Sequence, residues 1–255
     1  FNELDLSAIN KYLTFLWCPG NSTPNKYIKK LNPGEYISLV NKSEPKFIKW
    51  YKPTICKNKK IFNSGSKKII DRTEFLLKQA VHRQMVSDVP LGAFLSGGLD
   101  SSAIVHFARE KNPNICCFSI ELKGGSEDGF ADDLPYAKKV SKIFNVPLEI
   151  ISIKPSTMIS SIEKMIWQLD EPLADPAALN VFFISKLARD NGIKVLLSGA
   201  GGDDIFSGYR RHNAIQLDYF FEVIPKNLRA KISKLAIPLS TNNIYTRRIK
   251  KYFSN

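Results

Sequence analysis

Cysteine and histidine are scarce: 255 residues hold four cysteines and three histidines. Cys18, Cys56, Cys116 and Cys117 show neither C-x-x-C spacing nor a disulfide framework, and His82, His106 and His212 are scattered. Spacing therefore speaks against a zinc site and a disulfide-stapled scaffold. Buried thiols in a reducing compartment, the cytoplasm, are expected instead. No apolar run is long enough to span a bilayer, and no basic start leads into an apolar block, so neither a membrane partner nor a signal peptide is expected. Acidic residues are also short, 24 against 37 basic ones, for a formal charge of +13. The excess is spread along the chain, with small clusters at Lys57-Asn-Lys-Lys60 and Arg247-Arg-Ile-Lys-Lys251. No basic stripe is interleaved with aromatics, so a solvated lysine-rich surface is a better reading than a nucleic-acid interface.

What the chain does have is a 44% hydrophobic and 11% aromatic composition, enough for a sizeable core. It also has one stretch that organises the rest, Leu91-Gly-Ala-Phe-Leu-Ser-Gly-Gly-Leu-Asp-Ser-Ser-Ala-Ile-Val105. Leu91 to Leu95 reads as a buried strand, broken at Ser96-Gly97-Gly98 and resumed as a helix through Asp100, Ser101 and Ser102. Two glycines between strand and helix allow a sharp turn and a close approach to a ligand. The unpaired amides of the turn and of the first helical turn can converge on an anion. Serine hydroxyls add donors, and Asp100 adds a carboxylate able to hold a metal ion. No lysine lies between Leu91 and Val105, so this is not a Walker A loop. A cradle of amides and hydroxyls suits a pyrophosphate that leaves as a unit. Glycines placed only for tight strand–helix packing are the plainer alternative.

Residues 4–17 fit an amphipathic helix with Leu6, Ile9, Leu13 and Leu16 on one face. Asn32-Pro-Gly34 is a tight turn between short strands at Tyr27–Leu31 and Glu35–Val40, and Phe47–Tyr51 is a third. A polar stretch at 57–68 reads as a linker. Beyond it helices and strands alternate: a helix over Ile70–Ser87, the cradle strand and helix, a strand over Ile115–Glu121 and a helix over Asp132–Phe144. A strand over Leu148–Ile153, helices over Pro155–Leu169 and Ala177–Asp190, and a strand over Lys194–Ser198 follow. Such interleaving implies a parallel sheet covered on both faces.

The fourth strand leads directly into Ser198-Gly-Ala-Gly-Gly-Asp-Asp-Ile-Phe-Ser-Gly-Tyr209, again strand, Ser-Gly turn, glycines and acids. In an open α/β sheet ligands sit at the carboxyl ends of strands where the strand order reverses. A 3-2-1-4 order would make the two glycine loops neighbours there, with Asp100 and Asp203 available to magnesium beside a polyphosphate. Asp170-Glu-Pro-Leu-Ala-Asp-Pro176 is dense in acids and prolines. Glu171 and Asp175 could position an acceptor substrate, or the stretch could simply end one helix and start the next. Tyr209-Arg-Arg-His212 offers arginine forks for an anion, with a solvated helix face the better explanation.

These three motifs together resemble the synthetase domain of glutamine-hydrolysing (class B) asparagine synthetases. Residues 1–56, with Leu31-Asn-Pro-Gly-Glu-Tyr36, resemble the carboxyl end of that family's glutaminase domain. The resemblance implies three segments: 1–56 from the glutaminase domain, a linker at 57–68, and an ATP-pyrophosphatase domain over 69–255. Its fold would be an open doubly wound parallel sheet of the adenine-nucleotide α-hydrolase type. It further implies that ATP and magnesium activate a carboxylate, aspartate's side chain in the founding case, as an acyl-adenylate. Glutamine-derived ammonia then forms the amide. Ser96, Gly97, Gly98, Asp100, Ser101 and Ser102 match the pyrophosphate loop, and Asp203 matches a second metal-holding acid. Phe94 and Ile120 match adenosine contacts made mainly through backbone, and Ser198 and Gly199 lie by the nucleotide. The resemblance also allows a homodimer.

Three departures qualify what the resemblance implies. Phe1 is not the family's amino-terminal cysteine, so this chain alone is not expected to hydrolyse glutamine. Ala200 stands where the family carries Glu or Asp, an acid able to take a proton from ammonia. The chain also stops at Asn255, before a lysine that stabilises adenylation, so the fragment itself is expected to be inactive. Amidation of another carboxylate, such as a uronic-acid sugar, is therefore an alternative to aspartate. An RNA-modifying adenylating enzyme and a non-catalytic nucleotide-binding scaffold are the alternatives of other classes.

Overall fold

The computed structural model describes residues 3–41, 43–53, 65–123 and 133–209. Cys56, both basic clusters, residues 210–212 and the helices expected after residue 213 lie outside the described residues. The chain divides into two compact units, Phe1–Gly199 and Ala200–Asn255. Most of the expected linker at 57–68 lies outside the described residues, and the helix after that stretch begins at Ser66.

The first unit opens with α1 (Leu6–Phe15), started by Asp5, whose carboxylate accepts from the Ala8 amide at 3.0 Å. The helix buries Ala8, while Leu6 and Leu13 of the expected apolar face are exposed. Strands β1 (Glu35–Ser38) and β2 (Lys46–Lys49) pair antiparallel, Glu35 opposite Lys49. The turn at Asn32-Pro-Gly34 forms as expected, with Gly34 at φ +75°. Tyr27–Leu31 does not form a strand; its share of pairing is a single bridge between Ser22 and Lys29. Thr23 turns this stretch back on itself, its one hydroxyl proton shared between the carbonyls of Asn25 and Ile28, both at 2.9 Å.

The α/β part follows: α2 (Ser66–Gln84), β3 (Leu91–Phe94), α3 (Leu99–Ala108), β4 (Cys116–Leu122), α4 (Leu134–Phe144) and β5 (Leu148–Ile153). It continues with α5 (Pro155–Ile166), α6 (Ala177–Asp190) and β6 (Val195–Leu197). The four strands are parallel in the order β5-β4-β3-β6, with Ala93 opposite Cys117 on one side and Leu197 on the other. In the numbering of the sequence this is the 3-2-1-4 order. The strands alternate between two buried faces. Ala93, Leu95, Cys117 and Leu197 pack with Val81, Val105, Ala108 and Ala137 of α2, α3 and α4. Phe94, Phe118, Ile120 and Leu196 pack with Ile184 and Ala188 of α6. Helices thus cover both faces, which is why the strands read as nearly continuous apolar runs. In α2 the inward positions are Leu77 and Val81, while Phe75 and Leu76 face out.

Cys117 is fully buried in this sheet, and burial pushes its thiol up from the usual 9.0 to about 12. Between those values the unfolded chain loses the proton and the folded chain keeps it. Stability from this group is therefore complete below about pH 9 and falls as pH rises toward 12. Denaturant midpoints measured from about pH 8 to about pH 11 should decline less steeply in Cys117→Ala than in the parent. An identical decline would remove Cys117 as a cause.

Among the described residues no helix is long and apolar enough to cross a membrane. In the second unit α7 (Gly202–Phe206) follows Gly201, whose φ of +92° turns the chain into the helix.

Candidate nucleotide site

The site grows from the carboxyl end of β3. Leu95 continues the strand by donating its amide to the Phe118 carbonyl at 2.9 Å, and the chain then turns at Ser96. Gly97 has φ +80°, a conformation favoured by glycine. A Cβ there would also strike the backbone of Tyr136 and Ala137, so α4 packs directly on the loop. Gly98 caps α3, and Asp100 stands in the first helical turn, where a carboxylate suits the positive end of the helix dipole.

The three serines divide their work in a way that spacing alone does not reveal. Ser101 is buried; its hydroxyl donates to the Gly98 carbonyl at 3.2 Å and accepts from the Ser96 amide at 3.3 Å. With that proton committed, the Ser96 hydroxyl donates to Ser101 Oγ at 3.0 Å while accepting from the Gly98 amide at 3.3 Å. Both side chains therefore hold the turn from inside. Ser102 Oγ is buried without a hydrogen-bond partner. An orphaned buried hydroxyl costs about 1–3 kcal/mol, a deficit that an anionic oxygen would remove. Ser102 is thus a hydroxyl whose hydrogen-bonding capacity no protein group uses.

The second loop meets the first at Gly199. A Cβ at this position would lie 2.8 Å from the Ser101 amide nitrogen and 2.9 Å from both the carbonyl carbon and Cβ of Asp100. Only glycine lets the end of β6 come this close to the first turn of α3. Strand order 3-2-1-4 is the cause, because it makes β6 the direct neighbour of β3. Ser198 is exposed at the end of β6. Phe94 and Ile120 direct their side chains into the α6-facing core.

Within the second unit, Asp203 is half-buried in the first turn of α7. Its carbonyl accepts from the Gly208 amide at 3.0 Å, and its carboxylate lies where a Cβ at Gly208 would fall. Ala200 is exposed.

Asp175 lines a cavity of about 740 Å³ together with Leu173, Ala177 and Val181. Asp175 Oδ1 accepts from the Ala177 amide at 2.9 Å and so caps the start of α6. Glu171 takes Lys30 through both carboxylate oxygens, at 2.8 and 2.9 Å. Lys30 carries no motif, and its pairing with a residue 141 positions away leaves no signal in local sequence. His106 is exposed on α3, beside the rings of Phe107 and Phe144 at centroid distances of 5.0 and 5.6 Å.

Two features test whether the loop fits a nucleotide's phosphates: the orphaned Ser102 hydroxyl and the backbone approach at Gly199. Both fit. Asp100 supplies a hard oxygen donor of the type magnesium takes. Among the described residues no three His, Cys, Asp or Glu side chains form a metal cluster.

The family model described as asparagine synthase matches residues 72–252. An asparagine synthetase (glutamine-hydrolysing) of Bacillus subtilis strain 168 is 33% identical over 236 residues, covering 92% of this chain and 36% of the relative. A putative asparagine synthetase (glutamine-hydrolysing) of Methanocaldococcus jannaschii is 34% identical over 247 residues, covering 95% of this chain and 46% of the relative. An amidase of Penicillium rubens is 25% identical over 211 residues, covering 76% and 30%. The chain thus spans less than half the length of each of these relatives. With a family match over most of the chain, the chain belongs to the asparagine synthase family.

Proposed function

We propose that this chain carries the ATP-binding half of a ligase that amidates a carboxylate, by default aspartate to asparagine with ammonia drawn from glutamine. The observation that carries the reading is the approach of Gly199 to Asp100 and Ser101, which joins two glycine loops at one edge of the sheet. Amides in the first turn of α3 and the free Ser102 hydroxyl face the charge that gathers as pyrophosphate leaves. The internal serine bonds hold these donors in place beforehand, so little reorganisation accompanies reaction. Asp100 would hold magnesium, and Asp203 joins it by its place in the sequence motif. Bound there, the ion neutralises phosphate charge as a Lewis acid. Phe94 and Ile120 would seat the adenosine through backbone and help to hold the α-phosphate in line with the carboxylate.

The test is pyrophosphate release from the complete protein given ATP, magnesium, ammonium and aspartate. Release that depends on aspartate is expected; its absence would overturn asparagine as the product. A second reading, amidation of a different carboxylate, draws on Ala200, which removes an acid from the ammonia side while leaving the nucleotide loop intact. That reading expects ATP cleavage to depend on another carboxylate, with aspartate inert.

A further inference from the structure

Residues 167–176 do more than connect two helices. Helix α5 leaves the carboxyl end of β5 and runs about 18 Å toward the opposite edge of the sheet. Because β6 is parallel to β3, α6 must run in the same direction as α5 before β6 begins. The segment between them therefore returns across the layer and sets the first turn of α6 at the carboxyl edge, the edge that carries the pyrophosphate loop. Asp170, Pro172, Leu173 and Ala174 are exposed along this return.

Its anchor points come from the beginning of the chain. Lys30 Nζ donates to both oxygens of Glu171 and to the Cys18 carbonyl, the last at 2.6 Å, so all three of its protons have acceptors. The same ammonium lies 5.7 Å from the Trp17 ring centroid. The Ala174 amide donates to the Leu16 carbonyl at 2.9 Å. The anchor is itself fixed: Cys18 is buried, with its thiol on the Ala8 carbonyl at 3.4 Å. Lys30 and Glu171 are 27% and 28% exposed, which sets the pair apart from solvent-screened surface pairs.

We infer that Lys30 is a positioning residue for the acceptor side of the reaction, a role that rests on the amidation reading above. Acting through Glu171, it holds residues 170–176 so that the Asp175-capped start of α6 stays fixed at the sheet edge where the carboxylate is activated. ATP sits on the other part of that edge, on loops Lys30 does not touch.

The experiment compares the complete protein with its K30M, K30R and E171Q variants, using ammonium in place of glutamine. K30M and E171Q should raise KM for the acceptor carboxylate about tenfold and change KM for ATP by less than about twofold. K30R, which keeps the charge but not the ammonium's compact three-way geometry, should fall between the parent and K30M. Hydrogen exchange at the Ala174 amide should quicken about tenfold in K30M. Unchanged acceptor KM, an equal rise in both KM values, or K30R behaving like K30M would each overturn the inference. E171Q preserves side-chain shape and decides the matter if K30M fails to fold. A parent protein without aspartate-dependent turnover would contradict aspartate as the acceptor instead. Amide exchange needs no substrate and would then decide the joint, with unchanged exchange in K30M overturning it.

Discussion

Gly199→Ala is expected to lower pyrophosphate release by the complete protein about a hundredfold while the protein still folds. The added methyl would stand 2.8 Å from the Ser101 amide nitrogen and 2.9 Å from two Asp100 atoms, where ordinary contact begins at 3.4 Å. Either the end of β6 or the first turn of α3 must retreat by roughly half an ångström or more. The first turn carries the anion-facing amides, and displacements of about 1 Å in a reacting geometry cost about 10²-fold. Overpacking of this kind destabilises by about 1–3 kcal/mol, which a domain of ordinary stability survives. Conformation is not the obstacle, because the φ of Gly199 lies outside the left-handed region. The loss should therefore appear in ATP-dependent turnover at a temperature where circular dichroism is unchanged. Near-parental turnover in Gly199→Ala would mean that the approach of the loops is mere packing.

Asp100→Asn is expected to cost about 10²–10³-fold in turnover at saturating ATP and magnesium, with little change in melting. The substitution keeps the shape of the side chain and removes only its charge. In the fold that charge contributes a helix-dipole interaction of about 0.3–1 kcal/mol, because Asp100 stands in the first turn of α3. At the site the same charge would hold the cation that offsets phosphate charge during adenylation, where removing one electrostatic element costs several kcal/mol of barrier. The two effects differ enough in size to be told apart by one variant. Parental turnover in Asp100→Asn would place the cation elsewhere. A drop in melting that matches the drop in activity would make Asp100 a structural cap.

Much of the nucleotide half was legible because its signals are local. Alternating apolar runs and glycine breaks located all four strands, and β5 and α6 run from Leu148 to Ile153 and from Ala177 to Asp190 as periodicity predicts. A 3-2-1-4 order would make the two glycine loops neighbours, and it is the order found. Side-chain employment was less legible. Ser96, Ser101 and Ser102 look equivalent as donors in sequence, yet internal bonds use the first two and orphan the third. Tyr27–Leu31 has strand-like composition, but side-chain bonds from Thr23 shape the adjoining turn. Such local competition with ladder pairing is invisible to hydrophobic pattern. Glu171 was read as a possible substrate ligand because it is acidic and near the site; its partner, Lys30, comes from far along the chain.

The central claim is that the paired loops activate a carboxylate by splitting ATP between its α- and β-phosphates. Isotope transfer tests it most directly: the complete protein is given ATP, magnesium, ammonium and aspartate labelled with oxygen-18 in its side-chain carboxylate. An acyl-adenylate route places one labelled oxygen in AMP and keeps the other in the side-chain amide of asparagine, with unlabelled pyrophosphate. Label in inorganic phosphate with ADP as the other product would contradict the account.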